Sequence, residues 1–262
     1  FGKFGTLRGR KMQTLAMTNV DGQVIWHNAQ ILPQISPKFF DLDWHRSQSG
    51  VLGSAPGRGR AHFLRVDGRV LVLRPFRRGG LIGKLFTDRY LRLGATSSRA
   101  FREYSLLEWM FNHGLPVPRP IAARYMPRGL FYRADLVTEC ISRSRTLADT
   151  VADAALPSGT WAKIGAVVGQ MHALGVYHSD LNCRNILLDA DMQGWLIDFD
   201  KCRRREKGRW QSQNLARLKR SLEKESAKQP EFFWRETDWS EFLAGYEANH
   251  RGRACNYPKP GS

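Results

Sequence analysis

His178-Ser179-Asp180-Leu181-Asn182-Cys183-Arg184-Asn185, followed by Ile186-Leu187-Leu188 and by Trp195-Leu196-Ile197-Asp198-Phe199-Asp200, is the stretch on which the fold turns. Its two apolar runs are short and are joined by the polar segment Asp189 to Gly194, the pattern of two strands linked by a hairpin loop. Pairing Leu188 with Trp195 would set Asn185 opposite Asp198, so that an amide oxygen and a carboxylate meet at the open end of the hairpin. Hard oxygen ligands of this kind suit Mg²⁺, which takes one or two protein ligands and fills its shell with phosphate oxygens and water. Asp180, on the approach loop, can aim its carboxylate into the same space. A metal to neutralise phosphates and a carboxylate to orient a hydroxyl and accept its proton are what phosphoryl transfer needs. The plainer reading of an Asp- and Asn-rich loop before a hairpin is turn chemistry, and Asn182 suits a turn or a substrate contact equally. His178 reads as a brace for the loop through hydrogen bonds rather than as a proton carrier.

Upstream, a helix from Ser158 or Thr160 to Leu174 places Trp161, Ile164, Val168 and Met171 at helical spacing, and Gly175 stops it just before His178. A second helix, capped by Ser97 or Ser98 and running to Asn112, carries Phe101, Tyr104, Leu107 and Phe111 on one stripe and ends at Gly114. Glu103 falls inside its apolar arc, between Leu107 and Met110, and Glu108 borders it, between Tyr104 and Phe101, so the wheel leaves open which of them, if either, is more than a surface glutamate. Earlier still, Ala61 to Val66 and Arg69 to Arg74 flank Asp67-Gly68, a two-residue connection that readily takes positive φ, and a third strand is expected around Val51. Between them lies Gly53-Ser54-Ala55-Pro56-Gly57-Arg58-Gly59, whose glycines would let backbone approach a ligand closely, although Pro56 removes one donor from any phosphate cradle. Strand alternation puts Val72 and Arg74 on one face. Val72 could cover a nucleotide base and Arg74 reach its phosphates, or Arg74 is an exposed strand-end cation.

Strands and glycine loop first, helices later, read as an α+β chain: a sheet-rich lobe, a seam near Ala134 to Ser144, then a helical lobe. The chain has 262 residues, and its 41 Lys+Arg against 24 Asp+Glu give a formal charge of +17, so an anionic partner is expected. Charge alone does not choose among nucleic acid, an acidic membrane surface and a phosphorylated substrate. Cys140, Cys183, Cys202 and Cys255 are scattered, without the spacing of a zinc site or a disulfide framework, which reads as reduced thiols in a cytoplasm. No apolar run is long enough to span a bilayer and no secretory leader is evident, so an exported or membrane-spanning protein is not expected. The basic segment Phe1 to Lys11 precedes Met12 and Met17, either of which is a candidate start.

The H-x-D-L-x-x-x-N pattern over His178 to Asn185, followed by a strand ending in Asp198-Phe199, resembles the catalytic loop and metal motif of protein-kinase-like enzymes. That resemblance implies a bilobal kinase fold, a sheet-rich N-lobe over residues 41–137 and a mainly helical C-lobe over 138–248, with a lead-in over 1–40 and a tail over 249–262. It makes Asp180 the catalytic base and Asn185 and Asp198 the Mg²⁺ ligands. It assigns Gly53, Gly57, Gly59, Val72, Arg74, Glu103 and Glu139 to ATP, with Glu103 preferred over Glu108 by order along the chain. Asp200 stands where a protein kinase has the glycine of D-F-G, and no A-P-E follows, so a protein substrate and activation-loop switching are not expected.

A closer resemblance is to the 3-deoxy-D-manno-octulosonic acid (Kdo) kinases of lipopolysaccharide synthesis. It is carried by Gly53-Ser54-Ala55, Arg78-Gly79-Gly80-Leu81, Gly83-Lys84-Leu85, Leu115-Pro116-Val117-Pro118, Pro120 to Arg124, His178 to Leu187, Trp195 to Cys202 and Asn214 to Ser221. It implies ATP-dependent phosphorylation of the Kdo 4-hydroxyl on a Kdo-lipid A precursor, at the cytoplasmic face of a bacterial inner membrane. The acceptor's carboxylate and phosphates, and an anionic membrane surface, would then account for the charge; nucleic acid is not expected as a partner. Arg77, Arg78, Lys84, Arg89 and Arg92 are candidate surface contacts, and the basic run Lys201 to Arg209 a candidate acceptor contact. Alternatives are another lipopolysaccharide-sugar kinase, such as a heptose kinase, or a nucleic-acid-binding module on a degenerate kinase fold.

Overall fold

The structure, a computed structural model, describes residues 15–55, 61–76, 90–91, 94–229 and 231–252. Internal contacts divide the chain into a first unit, Phe1–Phe101 with Pro120–Thr138, and a second, Arg102–Arg119 with Glu139–Ser262. The first is sheet-rich and the second mainly helical, as the α+β reading expects.

In the first unit β1 (Leu15–Val20), β2 (Gln23–Asn28), α1 (Leu42–Ser47), β3 (Val51–Ala55), β4 (Ala61–Val66), β5 (Arg69–Pro75), β6 (Tyr90–Leu91), β7 (Pro120–Arg128) and β8 (Phe131–Glu139) build one sheet with flanking helix. Its strand order is β1-β2-β7-β8-β5-β4-β3, with β6 pairing β8. Asp67 (φ 47°) and Gly68 (φ 76°) both take left-handed backbone, so Val66 pairs with Arg69 across a two-residue turn of the expected kind. Asp21 (φ 51°) and Gly22 (φ 71°) repeat the device between Val20 and Gln23. That hairpin lies in the stretch expected to be a lead-in, and β2 joins it to the sheet through β7. Leu64, Leu71 and Leu73 point into a core with Ile25, Ile121 and Val137, which leaves Val72 and Arg74 half-buried on the opposite face. Arg124 and Asp135 face each other across β7 and β8 in a 2.7 Å ion pair.

α2 (Arg99–Asn112) is continuous from Arg99, and its course from Arg102 onward belongs to the second unit. Ser98 Oγ accepts from the Phe101 N–H at 3.3 Å as the cap, and Gly114 (φ 75°) ends the turn after it. Its buried residues include Glu103, Tyr104, Leu107, Glu108 and Met110, whereas Phe111 is exposed, so the inward stripe is rotated from the expected one.

The second unit continues with β9 (Arg145–Thr146), α3 (Leu147–Asp153), α4 (Thr160–Ala173), β10 (Val176–Tyr177), β11 (Ile186–Leu188), β12 (Gly194–Leu196), β13 (Arg203–Arg204), α5 (Trp210–Ser226) and α6 (Glu236–Gly252). α4 and α6 cross at glycines: a Cβ on Gly165 would collide with Phe242 O and lie 2.9 Å from Tyr246 N, and one on Gly169 would lie 2.5 Å from Tyr246 O. Only glycine permits that approach. α4 stops at Gly175 (φ 72°), as its sequence requires, and β10 pairs with β13, which sets the chain entering the His178 loop beside the chain leaving Asp198.

Candidate active site

The His178 imidazole is fully buried and bonded at both nitrogens. Nδ1 faces the Asp180 N–H at 3.2 Å and Nε2 faces Ile197 O at 3.0 Å. An amide can only donate and a carbonyl only accept, so the ring carries its proton on Nε2. Burial holds its pKa below the usual histidine range and keeps it neutral. It ties the loop to the end of the β12 strand, which is the bracing role its sequence context suggests.

The loop closes on Asp180. The Asp180 carbonyl accepts from Asn182 Nδ2 and Asn185 Nδ2, each at 2.9 Å, and Asn182 Oδ1 accepts from the Arg184 N–H at 2.9 Å. Asn182 is thus the turn former of its two alternatives. With its amide nitrogen on Asp180 O, Asn185 keeps Oδ1 as the atom for a cation. The Asp180 carboxylate is exposed and accepts from Arg217 Nη1 at 2.7 Å.

The expected hairpin register needs correction. Ile186 pairs with Leu196, Leu187 with Trp195 and Leu188 with Gly194, so Asn185 stands opposite Ile197, whose N–H donates to Asn185 O at 3.1 Å. Asp198 follows that pair, and its left-handed backbone (φ 63°) turns the chain out of the strand direction at the carboxylate. A non-glycine residue held there is strained, and such positions cluster at functional sites. The donor chemistry fits Mg²⁺: one amide oxygen and one carboxylate, carried by residues at the open end of one hairpin, with phosphate left to complete the shell. Among the described residues no group of three or more His, Cys, Asp or Glu side chains stands at metal-binding spacing.

Phe199 is buried against the His178 ring, 4.8 Å between centroids, and Asp200 presents its carbonyl to Ser179 Oγ at 2.7 Å. The Ser179 N–H also points at Cys202 Sγ, 3.2 Å away, and burial pushes that thiol up to about 12. The Glu103 charge contributes to the same rise, and the Glu108 charge adds to that of Tyr104. Both glutamates are buried, so neither is a surface residue.

α5 supplies what the sequence reading missed. Asn214 Oδ1 accepts from the His178 N–H at 3.2 Å and its Nδ2 donates to His178 O at 2.9 Å. Arg217 meets Asp180, Ser221 Oγ accepts from the Cys183 N–H at 2.9 Å, and Glu225 receives Arg184 at 2.7 Å. Positions 214, 217, 221 and 225 repeat every three or four residues and therefore share one helix face, laid along the loop.

Of the residues expected at the nucleotide side, Gly53, Val72 and Arg74 lie in the first unit, Glu103 and Glu139 in the second. Gly53 sits at a bulge of β3 against β4, and Arg74 lies 5.0 Å from the Phe76 ring. Glu139 lines a cavity of about 270 Å³ with Phe111, Val117, Cys140, Ile141 and Trp195. Gly57, Gly59 and the cations Arg77, Arg78, Lys84, Arg89 and Arg92 fall outside the described residues. In the basic run after Asp198, Arg204 stacks on Trp109 at 4.3 Å and Arg205 on Tyr177 at 3.9 Å, so two of its cations are engaged in packing while Lys201, Arg203, Lys207 and Arg209 are exposed.

Against known proteins, the model of the lipopolysaccharide kinase (Kdo/WaaP) family matches residues 42–246. The chain is 44% identical over 218 residues to the 3-deoxy-D-manno-octulosonic acid kinase of Vibrio parahaemolyticus, covering 83% of this chain and 91% of that one. It is 42% identical over 227 residues to the enzyme of the same name from Photobacterium profundum (87% and 96% covered). The Haemophilus influenzae (strain PittEE) enzyme of that name is 40% identical over 234 residues (86% and 97% covered).

Proposed function

We propose that this chain, which belongs to the lipopolysaccharide kinase (Kdo/WaaP) family, transfers the γ-phosphoryl group of ATP to the 4-hydroxyl of Kdo on a Kdo-lipid A precursor. It is a phosphotransferase acting on an alcohol group, and the observation that carries the acceptor is the near-complete coverage of relatives that share the Kdo kinase name. That shared name disfavours the heptose kinase and nucleic-acid-binding readings.

In this reading Asp180 orients the attacking hydroxyl and takes its proton, while Asn185 Oδ1 and Asp198 hold Mg²⁺, which supplies charge neutralisation at the phosphates. His178 and Asn214 fix the loop from which Asp180 projects. ATP would be contacted by Gly53, Gly57, Gly59, Val72, Arg74, Glu103 and Glu139. The acceptor is lipid-borne, and among the described residues no helix is long and apolar enough to cross a membrane. With a charge of +17, the protein would meet its acceptor by resting on the cytoplasmic face of the inner membrane, on anionic lipid.

Radiolabel transfer from ATP to the Kdo-lipid A precursor, with mass spectrometry of the product, tests the reading. Wild-type protein should place one phosphate on Kdo, and Asp180→Ala should lower the rate by about 10²–10⁴ while keeping the fold. Undiminished transfer by the variant removes Asp180 as base; no transfer by wild type removes the acceptor.

A further inference from the structure

Arg217 is half exposed, as is Asp180 (49% and 55%), yet its guanidinium lies 2.7 Å from the carboxylate proposed as base. An exposed pair of this kind contributes little to stability, because water screens it and two long side chains must be ordered to make it. Among the described residues, Asp180 is the hydrogen-bonding partner of Arg217, through Nη1 alone. A guanidinium is a planar fork of five donors matched to a carboxylate, so most of its capacity remains for an anion. The exposed cations Arg220 and Lys224 follow it along α5 at intervals of three and seven residues, on the same side of the helix. In contrast, the basic run after Asp198 has Arg204 and Arg205 engaged on aromatic rings.

We propose that Arg217 is the carboxylate-binding residue of the acceptor site. This rests on the functional reading above, in which the acceptor is a sugar acid. Without acceptor, the fork is held by Asp180. When the sugar acid binds, its carboxylate takes the fork, and Asp180 Oδ1 is released to the hydroxyl of the same sugar. The hydroxyl oxygen then bonds to the γ-phosphorus, its proton passes to Asp180, and the bond from the γ-phosphorus to the β,γ-bridging oxygen breaks to release ADP. Arg217 thereby couples recognition of the acid group to availability of the base, and a neutral sugar alcohol would leave Asp180 engaged.

The test compares wild type, Arg217→Gln and Arg217→Lys on two acceptors, the Kdo-bearing precursor and its Kdo methyl ester. Wild type should prefer the free acid. Arg217→Gln should raise the KM for the free acid by roughly 10- to 150-fold, the range for a lost hydrogen bond to a charged group, and change the KM for the ester little. Arg217→Lys keeps the charge without the fork and should restore part of the preference. The KM for ATP should hold in both variants, which also shows that they fold. A fall in kcat with the acid-over-ester preference unchanged would make Arg217 a mere positioner of Asp180 and overturn the proposal. If wild type phosphorylates neither acceptor, the functional reading fails, and the ligand assigned to Arg217 goes with it. If Arg217→Gln does not fold, the acid-over-ester ratio of Arg217→Lys decides: a ratio equal to wild type refutes the assignment.

Discussion

Replacing Asn214 by alanine should damage both the fold and the reaction, because one side chain satisfies both backbone groups of His178. The His178 N–H donates to Oδ1 at 3.2 Å, and Nδ2 donates to His178 O at 2.9 Å. The amide oxygen also faces His172 Nε2 at 3.4 Å. Asn214, His178 and His172 are all buried, so alanine leaves these groups without partners and out of reach of bulk water. An unsatisfied buried polar group costs about 1–3 kcal/mol. Two backbone groups, partly relieved by water entering the space left, give about 2–5 kcal/mol, or roughly 5–15 °C in Tm for a domain of this size. The functional loss should be larger than the stability loss implies. His178 fixes Asp180 through the 3.2 Å bond to its N–H, and a shift of about 1 Å in a reacting group costs on the order of 10² in rate. Asn214→Asp separates the two contacts, since it keeps the acceptor for the His178 N–H but turns a carboxylate oxygen towards His178 O. It should be no more stable than alanine. Circular dichroism melts and steady-state kinetics at saturating ATP measure both effects. A change in stability below about 0.5 kcal/mol together with unaltered kcat would show that α5 does not hold the loop.

Gly165→Ala should destabilise by about 3 kcal/mol or more, read as a lower urea midpoint, because its methyl would enter the α6 backbone at Phe242. An exposed helix would gain up to about 1 kcal/mol from the same change, so the sign alone tests the packing. His172 is held neutral by burial, with its pKa lowered to about 3. An unfolded histidine protonates near 6.5, so the unfolded state binds the extra proton between these values, and stability is complete above about pH 6.5 and falls towards pH 3. His172 alone should contribute a loss of about 2 kcal/mol in urea unfolding at pH 5 relative to pH 7.5, in addition to the loss from His178, which burial also keeps neutral. His172→Gln should remove the His172 share and leave a shallower slope; an unchanged slope would place its origin elsewhere.

Sequence reading succeeded where the code is local. Asp67-Gly68 needs only its own φ angles to make a hairpin, Ser98 only its hydroxyl to cap α2, and Gly175 only its missing Cβ to end α4. The β1–β2 hairpin carries the same signal at Asp21-Gly22 and is equally local. The β11–β12 register was harder. Ile186-Leu187-Leu188 is apolar throughout, so no alternation distinguishes one pairing from its neighbour. What fixes it is Asp189, whose Oδ1 accepts from the Asp191 and Gln193 N–H groups and whose Oδ2 accepts from Trp195 Nε1 at 2.8 Å, a loop geometry set by side chains rather than by the strands.

The face of α5 was hidden for a different reason. Asn214, Arg217, Ser221 and Glu225 recur at helical spacing, but polar residues at that spacing ordinarily mark the solvated side. Here Asn214 and Glu225 are buried along with Leu218 and Leu222, and their partners in the loop, His178 and Arg184, lie 36 and 41 residues away in the chain. A polar residue among buried leucines has to meet a polar partner in the fold, since burial without one costs more than the bond returns. That rule would have marked Asn214 as bound to something, but only the fold could say that its partner is the loop carrying Asp180. The kinase-like motif was therefore readable from His178 to Asp198, whereas the helix that holds its loop became readable only once α5 was laid against it.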